Sequence, residues 1–577
     1  VRITFGYPGD VEEDLERKVE SASLLHTLDD QDDPPPPRQD VIAAAQADYR
    51  RILTALYDEG YYGPTVSIRV DGQEAAGLPP VGATGLAQRV EVQIDPGPRF
   101  DFGRTEVSPV PQGTVLPEGF RRGEPAATPV VRDAVRTGVE AWRELGYPRA
   151  DVAGEEVVAN HARNTLDVGV QIAPGPQLTF GPLLVTGNEN VRTARIVQIA
   201  GLPTGEVYSP DAVRIATERL RRTGAFSTVV LTESETDGPG GTLPVTAEIV
   251  EQVPRRIGFG IEVSSIDGLG VSAFWLHRNL LGGAERFRVE AEVNQIGNDH
   301  DRPDLGLSFE FTRPGTFGLD RDLYANGALF DVVDEVIEFR GAEIESGFTQ
   351  RFGEDLTVSA GLGLRYAEVI IPDLVDESYL LVTFPIEATL DRRDDQLNAK
   401  SGFFVTADVT PFLGIENAEN GSRLFTDARV YRSFGQTERF TFAGRLQFGT
   451  VSGPQGSEAP ADFLFLSGGG GTVRGQEYES LGVEEDGTEI GGNSFLGTQL
   501  EARIGITDAI EAVAFYDTAV VSAESFPGED DPTHSGAGLG VRYNTGIGPI
   551  RLDIATPTSG DEAGQRVELY IGIGQAF

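Results

Sequence analysis

The stretch RFTFAGRLQF, residues 439–448, alternates between apolar and polar side chains. Successive side chains of an extended strand point to opposite faces, so this stretch has one apolar face and one polar face. The apolar face holds Phe440, Phe442, Leu446 and Phe448, and the polar face holds Thr441, Arg445 and Gln447. A strand with lipid on one side and an aqueous lumen on the other needs this arrangement, so the stretch is typical of a transmembrane β-barrel strand.

The same alternation extends over residues 255–577, where Gly, Asp, Asn and Pro separate the segments. Candidate strands start near residues 255, 268, 284, 303, 321, 336, 356, 378, 401, 422, 439, 493, 509, 535, 548 and 565. An even number of strands returns both ends of a barrel to the same side of the membrane. We therefore predict an all-β domain, a 16-stranded antiparallel transmembrane β-barrel. The alternative is a large soluble β-sandwich, which would need an apolar interior along these segments.

The first 254 residues contain a repeat instead. A helix-like stretch ends three times in a glycine that precedes an aromatic residue and a strand. The copies are LYDEGYYGPTVSI at Gly60, WRELGYPRADV at Gly146 and LRRTGAFSTVVL at Gly224, which lie 86 and 78 residues apart. Glycine after the last helical residue fits a left-handed C-terminal cap.

Strand pairs recur with the same period, since Pro-Gly-Pro at residues 96–98 is found again at 174–176. Each repeat therefore has the order strand, two helices, two strands, and the repeats follow one another as an array. We predict α+β modules at residues 1–98, 99–177 and 178–254, followed by the barrel at 255–577. The alternative for this half is a generic α+β domain.

Composition restricts the class of function. The chain has 577 residues, with 47 Lys and Arg against 90 Asp and Glu and a net charge of −43, so nucleic acid is not expected as a partner. Cysteine is absent, which excludes disulfides and thiol chemistry. Methionine is absent too, and we expect a mature or trimmed chain whose targeting peptide has been removed. No run of 18 apolar residues offers a spanning helix.

Signs of catalysis are missing from the sequence. There is no G-x-S-x-G elbow, and the histidines at positions 26, 161, 277, 300 and 534 do not have metal-ligand spacing. We expect a protein without enzymatic activity, cofactor or metal. The alternative of this class is a hydrolase domain fused to a barrel.

One connection is unusually long, at residues 453–492, and the strand count places it on the extracellular side. It contains LFLSGGGGTVRGQEYESLG, with four glycines at 468–471 followed by Val473, Arg474 and Gly475. Long ordered loops of this kind are usually functional.

Several motifs together resemble one family. They are VRGQ at 473–476, HRNLLGG from His277, FYDTAV from Phe515, and the terminal segments GPIRLDIATP and LYIGIGQAF. They look like the superfamily of outer-membrane barrels with polypeptide-transport-associated (POTRA) repeats. Three repeats before sixteen strands most closely resemble its TamA family, named for the translocation and assembly module. That family usually has an aromatic residue after the glycine of the loop motif, where this chain has Gln476.

The resemblance implies that the loop folds back into the lumen and that its arginine meets acids on the following strands. Strand alternation agrees, because it directs Glu501 and Asp517 inward on adjacent strands. Val473, Arg474 and Gly475 would then form a lock with Glu501 and Asp517, since one guanidinium can bind two carboxylates. The alternative is that Arg474 is one solvated loop charge.

The barrel would close between its first strand, Arg255–Ser264, and its last, Arg566–Phe577. Unpaired backbone groups in lipid are costly, so a short seam there is a strained edge that could receive another strand. We assign Gly258, Gly260, Gly572, Gly574 and Phe577 to this lateral seam. The alternative for the glycines is close packing against the loop in the lumen.

The resemblance implies an outer-membrane protein with periplasmic POTRA domains that inserts or exports client β-barrel or autotransporter proteins. Its implied partners are these clients, outer-membrane lipid and a TamB-like, inner-membrane-anchored protein docked on the POTRA domains. Alternatives are a two-partner secretion exporter, a BamA-type general insertase and a passive porin. An exporter typically has a plug helix, and DDQDDPPPPR at residues 29–38 is not expected to form one.

Overall fold

The computed structural model describes residues 1–577 except 10, 30–35, 80–82, 265–267, 298–301, 334–337, 372–373, 436–437, 486, 508, 547 and 561–562. Most of the segment DDQDDPPPPR therefore lies outside the described residues. The chain forms two compact units. The first comprises Val1–Leu184, Leu202–Ile215 and Leu231–Thr246, and the second comprises Val185–Gly201, Ala216–Val230 and Ala247–Phe577.

Three small sheets occupy the first half of the chain. The first sheet has the order β1-β4-β2-β3 and comes with three helices: β1 (Arg2–Gly6), α1 (Glu13–Ala22), α2 (Leu24–Asp29), α3 (Arg38–Asp58), β2 (Thr65–Val70), β3 (Gln73–Glu74) and β4 (Arg89–Asp95). The second has the order β5-β7-β6: β5 (Asp101–Ser108), α4 (Thr128–Glu144), β6 (Asp151–Asn160) and β7 (Thr165–Ala173). The third has the order β8-β10-β9: β8 (Thr179–Thr186), α5 (Thr193–Ala200), α6 (Pro210–Arg222), β9 (Phe226–Glu233) and β10 (Thr242–Glu251).

Among the residues that the structure describes, the predicted pair of helices is found in the third repeat alone. The first repeat has three helices, and the second has α4 alone, preceded by turns at residues 109–127. That segment contains prolines at 109, 111, 117 and 125, which lack the backbone N–H of a helix interior. The predicted caps are confirmed, because Gly60, Gly146 and Gly224 follow α3, α4 and α6 with φ of 90°, 91° and 65°.

A single antiparallel sheet occupies the rest of the chain. Its strands are β11 (Arg255–Ser264), β12 (Gly268–His277), β13 (Arg286–Ile296), β14 (Asp304–Arg313), β15 (Arg321–Val333), β16 (Glu338–Phe352), β17 (Leu356–Ile371), β18 (Val375–Thr383), β19 (Ile386–Asp391), β20 (Ser401–Glu416), β21 (Gly421–Phe434) and β22 (Phe440–Ser452). After a separate hairpin of β23 (Val483–Glu485) and β24 (Thr488–Ile490), it continues with β25 (Ser494–Gly505), β26 (Ile510–Ser522), β27 (Thr533–Tyr543), β28 (Ile550–Pro557) and β29 (Glu568–Ile573). Neighbours in sequence are neighbours in the sheet, from β11 to β29.

The 17 strands of this sheet correspond to the sixteen predicted crossings. The eighth predicted strand is divided into β18 and β19, and both pair with β17 and β20. Pro385 lies in the break, where its missing N–H cannot contribute to a ladder. The fold class predicted from the sequence repeat and the strand alternation, α+β repeats followed by an antiparallel barrel, is confirmed.

Burial follows the predicted alternation. In β22, Phe442 is 59% exposed and its neighbour Thr441 is 2% exposed. In β25, Leu500 is 53% exposed and Glu501 is 2% exposed. Apolar side chains therefore lie on the outer face of the sheet and polar ones on the inner face, the reverse of a water-soluble protein. Among the helices that the structure describes, none is both long and apolar enough to cross a membrane.

Candidate functional site

The loop at residues 453–492 packs against the inner face of the sheet. It contains two 3-10 turns, Gly456–Glu458 and Ala461–Phe463, and the hairpin of β23 and β24. Phe465 stacks on Phe425 and Phe495 with ring centroids 6.2 and 6.3 Å apart, respectively. Val473 is fully buried. The loop is thus an ordered, packed part of the lumen.

Arg474 lies at the centre of the site and is fully buried. Its Nε and Nη2 donate to Oδ2 and Oδ1 of Asp517 at 2.7 and 2.9 Å, and its Nη1 donates to Oε1 of Glu501 at 2.7 Å. The backbone N–H of Arg474 also donates to Asp517 Oδ2 at 3.1 Å. The guanidinium carbon lies 3.6 Å from the centroid of the Phe515 ring. The structure thus brings together the three charged residues of the predicted lock.

A third acid, Asp553 on β28, completes this group and was missed by the sequence analysis. Arg474 Nη1 donates to Asp553 Oδ2 at 3.3 Å. Alternation could have found Asp553, because its neighbours Leu552 and Ile554 are exposed on the outer face while it is fully buried. The sequence signal for Asp553 is therefore the same alternation that directs Glu501 and Asp517 inward on β25 and β26.

Two further arginines balance the three acids. Arg503 Nη2 lies 2.8 Å from Glu501 Oε2, and Arg542 hydrogen-bonds Asp553 and lies 3.6 Å from Glu501 Oε1. We call the six residues the buried ion network: Arg474, Arg503, Arg542, Glu501, Asp517 and Asp553. The three positive and three negative charges of this network balance one another, and buried charges are tolerated when they are paired in this way.

Gly475 and Gln476 fit the loop closely to the last strands. Gly475 has φ of +94°, and a Cβ there would lie 2.7 Å from the backbone carbon of Thr556 on β28. Its N–H donates to Tyr570 Oη at 3.0 Å. Gln476, which replaces the aromatic residue of the family motif, donates from Nε2 to the Ser535 and Ser559 carbonyls at 2.8 and 3.3 Å. The Gln476 side chain therefore ties the loop to two backbone carbonyls outside it.

The other end of the loop is attached to distant strands. Asp462 Oδ1 accepts a hydrogen bond from Tyr379 Oη of β18 at 2.5 Å, and its other oxygen accepts one from Arg365 of β17. Ser467 Oγ lies 2.8 Å from His534 Nε2 of β27. The loop therefore connects β17 and β18 with β25 to β28 through the lumen.

The predicted seam residues lie on the two end strands of the sheet. Among the described pairings, β11 pairs only with β12 and β29 only with β28. A Cβ at Gly258 would lie 2.3 Å from the Phe274 ring, and one at Gly260 would lie 2.5 Å from Ser272 Oγ. One at Gly572 would lie 3.0 Å from Arg551 Nε. These glycines make room for side chains of the adjacent strand, rather than for the loop.

The last strand ends at Ile573, four residues before its predicted end. Gly574 has φ of +99°, which turns the chain away from the sheet edge. Phe577 is buried beside Tyr431, with ring centroids 6.5 Å apart. Gln575 accepts a hydrogen bond from Arg542 Nε at 3.1 Å. The C-terminal residues therefore occupy the lumen and contact the buried ion network.

No metal-binding group is found in the part of the chain that the structure describes, since no three His, Asp or Glu side chains there are placed to hold an ion.

Comparisons with known proteins agree with this architecture. Residues 279–577 match the Omp85 superfamily domain, and residues 178–252 match a POTRA domain described as a surface antigen variable number repeat. A structure of BamA from Haemophilus ducreyi lacking POTRA domains 1–3 is 17% identical, with a TM-score of 0.62, and the match covers 82% of this chain and 98% of that chain. CdiB from Acinetobacter baumannii is 11% identical, with a TM-score of 0.48 and coverage of 82% and 88%. At such identity, the BamA similarity shows the fold alone.

Proposed function

The chain belongs to the Omp85 superfamily, and from this premise we propose that it inserts or exports client proteins at the outer membrane. The proposed route is the seam between β11 and β29, with β-barrel or autotransporter proteins as clients. The finer assignment, a TamA-like assembly factor with no enzymatic activity, follows from the sequence resemblance. Residues 1–98, 99–177 and 178–254 are the proposed periplasmic POTRA domains, and residues 255–577 the proposed barrel.

One observation supports this route above all others. Within the described residues, the outer edges of β11 and β29 have no strand partner. Each unpaired backbone group costs several kcal/mol in lipid, so the edges are under strong pressure to acquire a partner. A client strand that adds to the edge of β11 satisfies these groups by β-augmentation.

The side chains of the two end strands suit a lipid-facing edge. On β11, Phe259 is 82% exposed and Ile261 is 77% exposed. On β29, Ile571 is 71% exposed. A client strand entering between them would meet two apolar outer faces, so its own apolar face would remain continuous with theirs.

The buried ion network links the loop to this seam. Arg474 of the loop and Arg542 of β27 share Asp553, and Arg542 also donates to Gln575 beyond the last strand. We assign Val473, Arg474 and Gly475, with Glu501 and Asp517, the role of holding strands β25 to β28 together as a rigid wall. Gly574 and Phe577 would then set where the edge of β29 ends.

The proposed TamB-like partner needs an accessible strand edge in the periplasmic repeats. Strand β6 is at one edge of its sheet and pairs only with β7 in the described pairings. Val157 and Val158 on β6 are 51% and 49% exposed. An extended segment could pair there through main-chain hydrogen bonds and cover both valines.

A cross-link across the seam tests the proposed route. The chain has no cysteine, so Phe259→Cys with Ile571→Cys introduces the only thiols, and a series of bis-maleimides of increasing length is used to join them. Closure is expected to abolish insertion of a client barrel in cells. The matched control is Phe259→Cys with Ala273→Cys, which joins β11 to its existing partner β12 at paired positions and should leave insertion intact. Undiminished insertion after complete closure of the seam contradicts the route.

A further inference from the structure

A cavity of about 390 Å³ lies at the end of the sheet where β11 begins. Six arginines line it, together with two aspartates. The arginines are Arg219, Arg222, Arg256, Arg278, Arg286 and Arg351, and the aspartates are Asp320 and Asp322. We call this the arginine pocket. An excess of four positive charges at one place is notable in a chain whose net charge is −43.

Three of the six arginines are paired with the two aspartates. Arg219 and Arg222 both bind Asp320, with N–O distances of 2.6 and 2.7 Å. Arg351 Nη1 lies 2.7 Å from Asp322 Oδ2. These pairs fix one side of the pocket, and they account for both of its acids.

The other three arginines have no acidic partner within 4.0 Å among the residues that the structure describes. Among the described residues, the Arg278 side chain donates to the Val253 carbonyl, at 3.2 Å. Arg256 lies 5.7 Å from the centroid of the Phe274 ring. Burial lowers the pKa of Arg278, and the charges of Arg256 and Arg286 lower it further. Three guanidinium groups that repel one another around a cavity would be stabilised by an anion between them.

The surroundings indicate what kind of anion fits. Val253, Ile257 and Leu281 are 69%, 66% and 65% exposed, and they neighbour Arg256 and Arg278 in the chain or across a short turn. Ile257 lies on the outer face of β11, the proposed lipid face, whereas Arg256 lies on the inner face beside Phe274. A ligand that contacts both residues therefore lies across the unpaired outer edge of β11. Free phosphate would use the arginines and leave these apolar side chains uncovered, whereas a lipid would use both.

We infer that the arginine pocket binds the phosphate of an anionic phospholipid headgroup from the inner leaflet of the outer membrane. Guanidinium groups bind phosphate oxygens with paired, charge-assisted hydrogen bonds, and Arg256, Arg278 and Arg286 would supply them. The acyl chains would lie along Ile257 and the unpaired outer edge of β11. This inference goes beyond client transport and requires only that the sheet spans a membrane.

Lipid binding to the purified full-length chain tests the inference without any client. Native mass spectrometry in detergent would measure retention of phosphatidylglycerol, phosphatidylcholine and inorganic phosphate, each added stepwise. The test variant carries Arg278→Gln and Arg286→Gln. The control is Arg439→Gln, because Arg439 is exposed at the same end of the sheet, outside the pocket, and donates to the Ile506 carbonyl.

Phosphatidylglycerol is expected to bind in preference to phosphatidylcholine, and the double variant is expected to bind it about tenfold more weakly or worse, as loss of charge-assisted bonds predicts. The control should match the wild type. Equal retention by the double variant and the wild type overturns the site. Displacement of the lipid by inorganic phosphate at equal concentration overturns the lipid as its ligand. Because neither of the two replaced arginines is paired with a carboxylate among the described residues, the double variant should fold. An unchanged difference in electrophoretic migration between heated and unheated samples would show that it has folded.

Discussion

Arg474 of the inward-folded loop and Asp517 of β26 form a two-point ion pair, with both side chains fully buried. The Phe515 ring packs against the guanidinium group of Arg474. Removal of one partner would therefore leave the buried ion network with one unbalanced charge that is shielded from water. Because the unbalanced charge would remain buried, the pair is sensitive to mutation of either residue.

Arg474→Ala is expected to destabilise the barrel by about 3 to 5 kcal/mol, because three acids then lose their shared cation. Urea unfolding in lipid vesicles would measure the loss, and protease cleavage within residues 453–492 would report release of the loop. Arg340→Ala is the control, since the Arg340 side chain is 60% exposed in its pair with Glu368, and its loss should cost less than about 1 kcal/mol. A protease-resistant loop with wild-type function in the Arg474 variant would contradict the lock.

Arg474 and Asp553 are expected to be energetically coupled. A double-mutant cycle would measure the free energy of unfolding of Arg474→Ala, Asp553→Ala and the double variant. The double variant should lose less stability than the sum of the two single losses, because both substitutions remove members of one network. The expected coupling is about 0.5 to 3 kcal/mol. The comparison cycle combines Arg474→Ala with Glu368→Ala, which share no partner. Additive behaviour of Arg474 and Asp553 would show that Asp553 lies outside the functional network.

Gly475→Ala is expected to displace the loop motif from β28. The backbone of Gly475 is in the left-handed region, and the added methyl group would meet the Thr556 backbone at 2.7 Å, so we expect a cost of about 1 to 3 kcal/mol. Gly471→Ala is the matched control in the same loop, because no atom lies within 4 Å of its added methyl group. Unfolding midpoints of the two variants give the comparison, and equal midpoints would refute the required close approach.

The stability of the contact between α6 and the turn before β15 is expected to depend on pH through Asp320. Burial tends to raise its pKa, but the hydrogen bonds from Arg219 and Arg222 prevail and lower it below 3.8. Because the folded pKa is depressed, the stabilisation is complete above the ordinary carboxyl pKa and is lost as the pH falls through the folded value. Asp320→Asn should therefore destabilise the protein at pH 7, and the difference from wild type should shrink at strongly acidic pH. A difference that persists unchanged at acidic pH would exclude the carboxylate as its cause.

Periodicity in the sequence was sufficient to predict the sheet. Apolar side chains at every second position, such as Phe440 and Phe442, are required by lipid on one face, so the number and order of crossings followed. The same alternation directed Glu501 and Asp517 inward, where the structure places them beside Arg474.

Features that depend on single backbone conformations or on distant residues could not be predicted in this way. The inward turn at Gly574 depends on a positive φ, which alternation does not encode. The arginine pocket combines Arg219 of α6 with Arg256 and Arg278 at strand ends, and only the folded chain brings them together. The second repeat has a single helix because of local prolines, and the repeat period of the sequence does not reveal this difference.

Photo-cross-linking in cells tests the central claim, passage of clients at the seam, most directly. A photoreactive residue would replace Ile261 on the free edge strand β11, or Tyr516 on β26, which is exposed on the same outer face but paired on both sides. The account predicts adducts with client proteins at position 261 and none at position 516. Client adducts of equal yield at both positions, or none at position 261 while clients are being inserted, would contradict it.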